Sequence, residues 1–542
     1  MKGLTPYEKL AAMVQRNPIM RVAENSFIAA AIALVILAVA ITAVVSDTSD
    51  VDERGELAQG TDAPGVGGSV ATPSATTGGA ASGETGGAGG LPSGSSGAIP
   101  GLPGGPASRP CAAAKVNSPG VTDSTITIGQ IVTESNQIPQ QLRPAYEGLQ
   151  AFVDLYNRSG GLCGRKLQLE HRNDNLNPAT HNQDARELAG RVLAFVGNES
   201  LLDFLDYERE PPFEPTVQGG GGKVPDVGGL AFGYGRSQSR WHAGVIGSVS
   251  PVLVGGGQYK YFVGEAAKAG KPCRKGGVIY LREPTGASED QARLGQVSIE
   301  QGWGGGLGRG NTALYAANLL DPVPAYEALV DRMVADGMNC AFTYTDLQSS
   351  INMAQAMNNR GVWPPDRCKR GNQCFRVFSV VLSVYDPKFI QDAGEGARSV
   401  STFIPHVPLV ETDNQSMKVY TDALRAVRGA RPSTFSVLGF ASGLMFFQAL
   451  QACPEAPTRT CLMDSLHKMQ NFTGGGLLGG TTPFRTTKAT FEPYGTFNWK
   501  WVFNRFVAMR VLERNGKRDF YRITPGRGFA ESELHVARGS PG

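Results

Sequence analysis

The chain has 542 residues, with 51 Lys and Arg set against 48 Asp and Glu for a formal net charge of +3. That balance excludes a nucleic-acid surface, which needs Lys and Arg concentrated against phosphate.

Phe27 to Val45 is an uncharged run rich in Ala, Ile, Leu and Val. At about 1.5 Å per residue it nearly matches a hydrocarbon core of about 30 Å. Lys2, Lys9, Arg16 and Arg21 precede it, and Asp47, Asp50, Asp52 and Glu53 follow it. The positive-inside rule then predicts a cytoplasmic N-terminus over 1–25, an uncleaved transmembrane anchor over 26–46 and everything after it outside. A cleaved signal peptide is the alternative, with Ala38-Val39-Ala40 or Thr42-Ala43 as small-residue sites. Residues 47–110 are almost wholly Gly, Ser, Ala, Thr and Pro after a short acidic start. They carry too little apolar surface to offset ordering entropy, which predicts a disordered linker with a reach of roughly 40 to 50 Å.

Ser124 to Val132 alternates around Ile126, Ile128 and Ile131 as a strand does, and Tyr146, Leu149, Phe152, Val153 and Tyr156 recur at helical spacing. Gly160, Gly161 and Gly164 stop that helix before a second strand, Lys166 to His171. A helix over Asn177 to Arg191 leads to the short strand Leu193 to Val196, closed by Gly197. Strand, helix, strand, helix, strand predicts a parallel sheet, because parallel neighbours need crossover helices. The pattern recurs further on. Lys275 to Leu281, Thr312 to Asn318 and Cys340 to Tyr344 read as strands, and Ser288 to Gln301, Pro324 to Asp336 and Ser349 to Arg360 as helices. Gln415 to Arg428 and Phe435 to Leu450 are helical by the same spacing, while the basic stretch Arg514 to Arg527 reads as a solvated terminus. About four hundred residues after the linker exceed a single core and should split in two.

Gly120 to Gly129, Ala145 to Gly148, Asn157 to Lys166, Asn173-Asp174 and Asn177-Pro178-Ala179, taken as an ordered set, resemble the type I periplasmic binding proteins, the leucine/isoleucine/valine-binding kind that serves ABC importers. The resemblance implies an α/β fold of two Rossmann-like lobes with parallel sheets joined by a hinge. The expected layout is 111–254 for the first segment of lobe 1, 255–408 for lobe 2, 409–480 for the return to lobe 1, 481–527 for the return to lobe 2, and 528–542 for a tail. Many members of that family are lipoproteins, but here no cysteine precedes Cys111 to carry a lipid.

An even cysteine count in an exported region reads as disulfides, and the topology suggests a pairing. Cys368 with Cys374 and Cys453 with Cys461 would close short loops. Cys273 and Cys340 both precede apolar strands whose starts lie side by side if the strands are parallel neighbours, and Cys111 would clip the domain entry to Cys163. A metal site lacks support, since there is no Cys-x-x-Cys and no histidine cluster.

Open α/β sheets bind ligands at the carboxyl ends of their strands. The candidate positions are therefore Glu134 and Ser135, Asn198, Glu199 and Ser200, and Ala231 and Phe232 in the first lobe. Pro284, Tyr344, Asp346 and Tyr385 are their counterparts in the second. The resemblance implies that Ser200 and nearby N–H groups at a helix start receive a carboxylate, and that Tyr344, Asp346 and Tyr385 meet an ammonium group. Ser200 would equally serve as a helix cap, and the two tyrosines as strand-end packing. Phe232, Tyr234 and Trp241 make the loop after Pro225 bulkier, and Arg236 and Arg240 make it more basic, than the amino-acid binders' small polar loop. Gly197-Asn198, followed by the charged Glu199, stands where relatives usually have Gly-Pro.

Catalysis and cofactors lack a constellation. Gly439-Phe440-Ala441-Ser442-Gly443 has its serine one place late for a nucleophile elbow. Gly474 to Gly479 follows Asn471 to Thr473 rather than a strand, and Gly222-Lys223-Val224 lacks the rest of a phosphate loop. His181 and His242 read as solvated or structural. The sequence predicts a membrane-anchored extracytoplasmic solute-binding protein, with an ABC-transporter permease or another membrane protein as partner. A receptor ectodomain acting through a partner and a non-binding envelope adhesion protein are the rival expectations.

Overall fold

A computed structural model describes the residues between Cys111 and Arg538 other than 112, 135–140, 209–214, 217–222, 234, 237–238, 246–252, 256, 284–285, 302–306, 309, 369, 470–471, 479–483, 492–494, 503–506 and 525–535. The cytoplasmic segment, membrane run and linker expected over 1–110 lie outside the described residues, as do Ser135, Tyr234 and Pro284. Among the described residues no helix is long and apolar enough to cross a membrane.

The first sheet grows from β1 (Thr125–Val132), whose isoleucines divide between two helical layers. Ile126 and Ile128 join the core under α1 (Arg143–Arg158), whereas Ile131 packs with Ala185 and Leu188 of α2 (Pro178–Ala189). A strand covered on both faces is buried nearly throughout, so its alternation sorts apolar residues between layers rather than between core and water. α1 begins with Pro144 in its first turn, and Asn177 caps α2 by accepting from the N–H groups of Ala179 and Thr180. β2 (Lys166–Asn173), β3 (Ala194–Val196), β4 (Asp226–Val227) and β5 (His242–Ala243) complete a parallel sheet in the order β2-β1-β3-β4-β5.

The chain continues through β6 (Leu253–Gly255) and α3 (Gly257–Lys268) into a second α/β array. Its elements are β7 (Gly276–Arg282), α4 (Ala287–Gln301), β8 (Thr312–Asn318), α5 (Val323–Ala335), β9 (Cys340–Tyr344), α6 (Leu347–Asn359), β10 (Val377–Val380), α7 (Pro387–Ala393) and β11 (Ser401–Ile404). Next come α8 (Gln415–Arg425), α9 (Thr434–Leu450) and α10 (Arg459–Lys468), whose apolar residues all belong to the first lobe's core. The hairpin of β12 (Phe484–Phe491) and β13 (Gly495–Val502) follows, then β14 (Val507–Arg514), β15 (Lys517–Arg522) and β16 (Val536–Arg538), the last pairing with β6. The second sheet runs β15-β14-β11-β10-β9-β7-β8, parallel except that β14 pairs antiparallel with β11 and β15 antiparallel with β14.

That addition corrects the expectation of a solvated terminus over Arg514 to Arg527. Phe520 of β15 is buried in the second core, while Arg518 pairs with Glu395 and Arg522 with Glu411. The basic residues lie on an edge strand, where charge discourages pairing with other chains.

All four expected bridges are formed, Cys111–Cys163, Cys273–Cys340, Cys368–Cys374 and Cys453–Cys461. Cys340 opens β9, which pairs with β7 just beyond Cys273. Two glycines explain how α9 lies on α1. A Cβ at Gly148 would stand 1.9 Å from the Ser436 carbonyl oxygen, and one at Gly439 would stand 2.0 Å from that of Ala145. The Gly439 to Gly443 motif is thus a helix-packing feature, and Ser442 within it turns its hydroxyl to the Leu438 carbonyl at 2.8 Å.

Gly439→Val should lower stability by about 3 kcal/mol through overpacking, measured by urea unfolding. On loop-closure entropy, replacing Cys273 and Cys340 by Ala should cost about 4 kcal/mol and replacing Cys368 and Cys374 about 2 kcal/mol, because they enclose 67 and 6 residues of separation.

Candidate functional site

The carboxyl edges of the two sheets adjoin. Gln141, on the segment leaving β1, accepts a hydrogen bond through Oε1 from the Leu347 N–H at the start of α6, at 2.7 Å. Arg431, between α8 and α9, stands 3.4 Å from Asp386 after β10. Leu319 and Leu409 pack against both cores, and Leu382 of the second lobe packs on the first.

At the end of β1, Glu134 is held by Arg143 at 3.0 Å and His171 at 2.8 Å, and the His171 ring stacks on Tyr146. Burial opposes ionisation of Glu134, but these two partners keep its carboxyl below the usual range. After β3, Asn198 Oδ1 accepts from the Ile131 N–H at 2.9 Å, which fixes the loop against β1.

Ser200 departs from the expected role. Only a single 3-10 turn, Asp203–Leu205, follows it, not a helix. Its hydroxyl bonds to the Asp174 carboxylate, accepts from the Leu202 N–H at 3.0 Å and lies 3.2 Å from His181 Nδ1. His181 in turn reaches Asp174 at 3.1 Å and Asp206 at 2.9 Å, all within the protein interior. Burial disfavours the charged ring, but Asp206 and Asp174 raise its pKa to about 10. Ser200 is thus part of a buried clamp on an imidazolium rather than a free receptor for a carboxylate.

A second buried cluster lies beside it. The Arg236 guanidinium contacts Asp226 through Nε at 2.7 Å and Nη2 at 3.0 Å, Asp203 at 3.0 Å and the Leu230 carbonyl at 2.6 Å. The two Asp226 contacts form a bidentate pair. Burial works against ionised Asp226, yet Arg236 and His242 hold its pKa well below the ordinary value, while burial lifts Asp203 to about 6. Glu199 is fully buried and accepts from the Leu230 N–H at 3.1 Å. Burial raises its pKa well above the ordinary carboxylate value, against the opposing pull of Arg236 and the Leu230 N–H.

Ala231 is buried, and Phe232 packs partly against the first core. In the second lobe, Asp346 caps α6 by accepting from the Gln348 and Ser349 N–H groups. Tyr344 and Tyr385 are core residues. The Tyr344 ring lies against α4 where a Cβ at Gly295 would meet its hydroxyl at 1.9 Å, and Tyr385 packs between His406 and Phe520 while accepting from the Leu409 N–H. Both tyrosines end buried strands or the turns just after them, where packing takes the whole ring.

Asp174, His181, Asp203, Asp226 and Arg236 were not read as a unit from sequence. The one signal for the cluster was Asn173-Asp174 within the ordered set; of the solvated and structural roles open to His181, the structure shows the hydrogen-bonded structural one. Among the described residues no group of His, Cys, Asp and Glu is arranged to hold a metal ion.

Asp226→Asn should lower stability by about 3 to 5 kcal/mol, because it leaves Arg236 buried without its bidentate partner. Glu199→Gln should stay within about 1 kcal/mol of the parent at pH 7, since the amide oxygen keeps the acceptor for the Leu230 N–H and burial already disfavours the charge; denaturant unfolding separates the two. The folded pKa of His181, about 10, exceeds its ordinary 6.5. Its stabilisation is therefore complete below pH 6.5 and is lost as pH rises through 10. The stability gap between the parent and His181→Gln should shrink across that window in urea melts taken at stepped pH.

No protein-family model matches the chain, and no curated protein does. Solved structures match at low identity. An extracellular ligand-binding receptor from Verminephrobacter eiseniae is 15% identical with a TM-score of 0.57, over 73% of this chain and 99% of that one. A fatty acid ABC transporter substrate-binding protein from Thermomonospora curvata is 15% identical at 0.54, over 75% and 93%. A branched-chain amino acid transporter substrate-binding protein from Streptococcus pneumoniae, in complex with isoleucine, is 16% identical at 0.52, over 74% and 100%. With two parallel-rich sheets in the order described, the chain has the fold of the type I periplasmic binding proteins.

Proposed function

We propose that this protein is a membrane-anchored, extracytoplasmic solute-binding protein that captures a small polar ligand, amino-acid-like or amide-like, between its two lobes and presents it to an ABC importer. The observation that carries the reading is the meeting of two α/β carboxyl edges, bridged from Gln141 to the start of α6. Ligands of open α/β sheets bind at such edges, and closing one lobe on the other changes the surface offered to a partner. The apolar run Phe27 to Val45 and the Gly-rich segment after it support an anchor and a tether. Substrate-binding components of ABC transporters among the similar structures support the transport role. Candidate ligand positions are the loops bearing Glu134 and Ser135, Asn198 to Ser200, Ala231 and Phe232, Pro284, and Asp346.

A thermal-shift screen of the oxidised full-length chain against amino acids, amides, polyamines, small aromatic acids and nucleobases tests the reading. A ligand of the native state adds about 2.7 kcal/mol at a hundred times its dissociation constant, so the expected result is a clear upward shift for one chemical class. A folded protein that no compound shifts would turn the assignment toward a receptor or adhesion role.

A further inference from the structure

Backbone N–H groups converging on one point make an anion receptor, and the end of an α/β sheet is where such groups gather. After β4, the N–H groups of Phe232 and Gly233 point at one carboxylate, with N···O distances of 2.7 and 2.6 Å, and Arg236 adds a third donor at 3.0 Å. The carboxylate is the chain's own. Asp203, buried on the 3-10 turn after β3, places Oδ2 on Phe232 and Arg236 and Oδ1 on Gly233. Gly233 is needed for this approach, because a Cβ there would stand 2.6 Å from the Phe204 Cα and 2.9 Å from Asp203 Oδ1.

Four further donors around this edge are also taken by the chain. Leu230 N–H goes to Glu199 at 3.1 Å, Leu201 N–H to the Thr133 hydroxyl at 3.1 Å, Leu202 N–H to Ser200 at 3.0 Å and Gly229 N–H to Ser442 at 3.0 Å. On the same edge Glu134 is paired with Arg143 and His171, and on the facing edge Asp386 is paired with Arg431. Asp346 differs. It caps α6 through Oδ1, while Oδ2 is buried without a hydrogen bond, near the Ser349 hydroxyl.

We infer that Asp203 is a resident carboxylate filling the first lobe's anion receptor, so that the cleft admits solutes with no carboxylate on that side: amides, amines and other uncharged or cationic molecules. The ligand class rests on the solute-binding reading above, whereas the occupancy of the receptor stands on geometry alone. A carboxylate arriving from solution would meet donors already bonded and a negative charge in their midst.

Asp203→Ala empties the receptor and gives the test. At pH 8, sodium acetate should raise the melting temperature of this variant saturably, while acetamide and matched sodium chloride should not, and acetate should leave the parent unmoved. Acetate that fails to stabilise folded Asp203→Ala, or that stabilises the parent equally, overturns the resident carboxylate. If the variant folds only on refolding, recovery in acetate but not acetamide supports the assignment, and recovery in neither overturns it. The ligand class is read separately, by screening the parent with amino acids beside their amides and decarboxylated amines. A shift from an amide or amine with its carboxylate silent is expected, and the reverse overturns it. A screen in which nothing shifts the parent overturns the solute-binding reading and the ligand class with it, while acetate rescue still decides what Asp203 occupies.

Discussion

The guanidinium of Arg236 is the point on which the first lobe's carboxyl edge depends. It is buried, and it holds loops that leave three different places in the chain: Asp203 after β3, Asp226 in β4, and the carbonyl of Leu230. A charge removed from water is costly, and only a full set of partners keeps it there. The consequence is mutual: because Arg236 must be satisfied, the loops must take one arrangement, and because they do, Asp203 and Glu199 are drawn out of solvent beside it. Burial there, with Asp203 and Asp226 in the same dry space, opposes ionisation of Glu199 against the pull of Arg236.

The His181 clamp supports the same edge from behind. Asp174 ends the segment leaving β2, Asp206 closes the turn after β3, and the imidazolium between them joins α2 to both. Ser200 then connects this clamp to Thr133 and to the backbone of the loop. The return helices finish the lobe, with Ser442 of α9 accepting from the Gly229 N–H. An edge fixed by so many buried polar bonds is rigid, which is what a preorganised binding surface requires.

The layered architecture was legible because hydrophobic periodicity follows directly from burial. Ile126, Ile128 and Ile131, and the helical series from Tyr146 to Tyr156, carry their geometry in their spacing. The pairing of Cys273 with Cys340 was readable for the same reason, since parallel strands bring their starts together. The buried charges were not legible. Arg236, Asp203 and Asp226 have the composition of a solvated loop, and only their distances in space distinguish them. Ser200 illustrates the limit: its place after Gly197 was read correctly as a loop at a strand end, but whether its hydroxyl faces solute or interior depends on Asp174 and His181, which lie far from it in sequence. The basic stretch of β15 misled in the opposite sense, because charges on a sheet edge have the same composition as those on a free tail.

The eight cysteines are all paired, and each bridge stays within its own array: Cys111–Cys163 and Cys453–Cys461 lie with the elements of the first lobe, Cys273–Cys340 and Cys368–Cys374 with those of the second. Oxidation therefore hardens each half of the molecule against thermal and chemical attack while adding no covalent restraint between the halves. The molecule is stapled as two separate solids, and only uncrosslinked chain and non-covalent contacts set the angle between them.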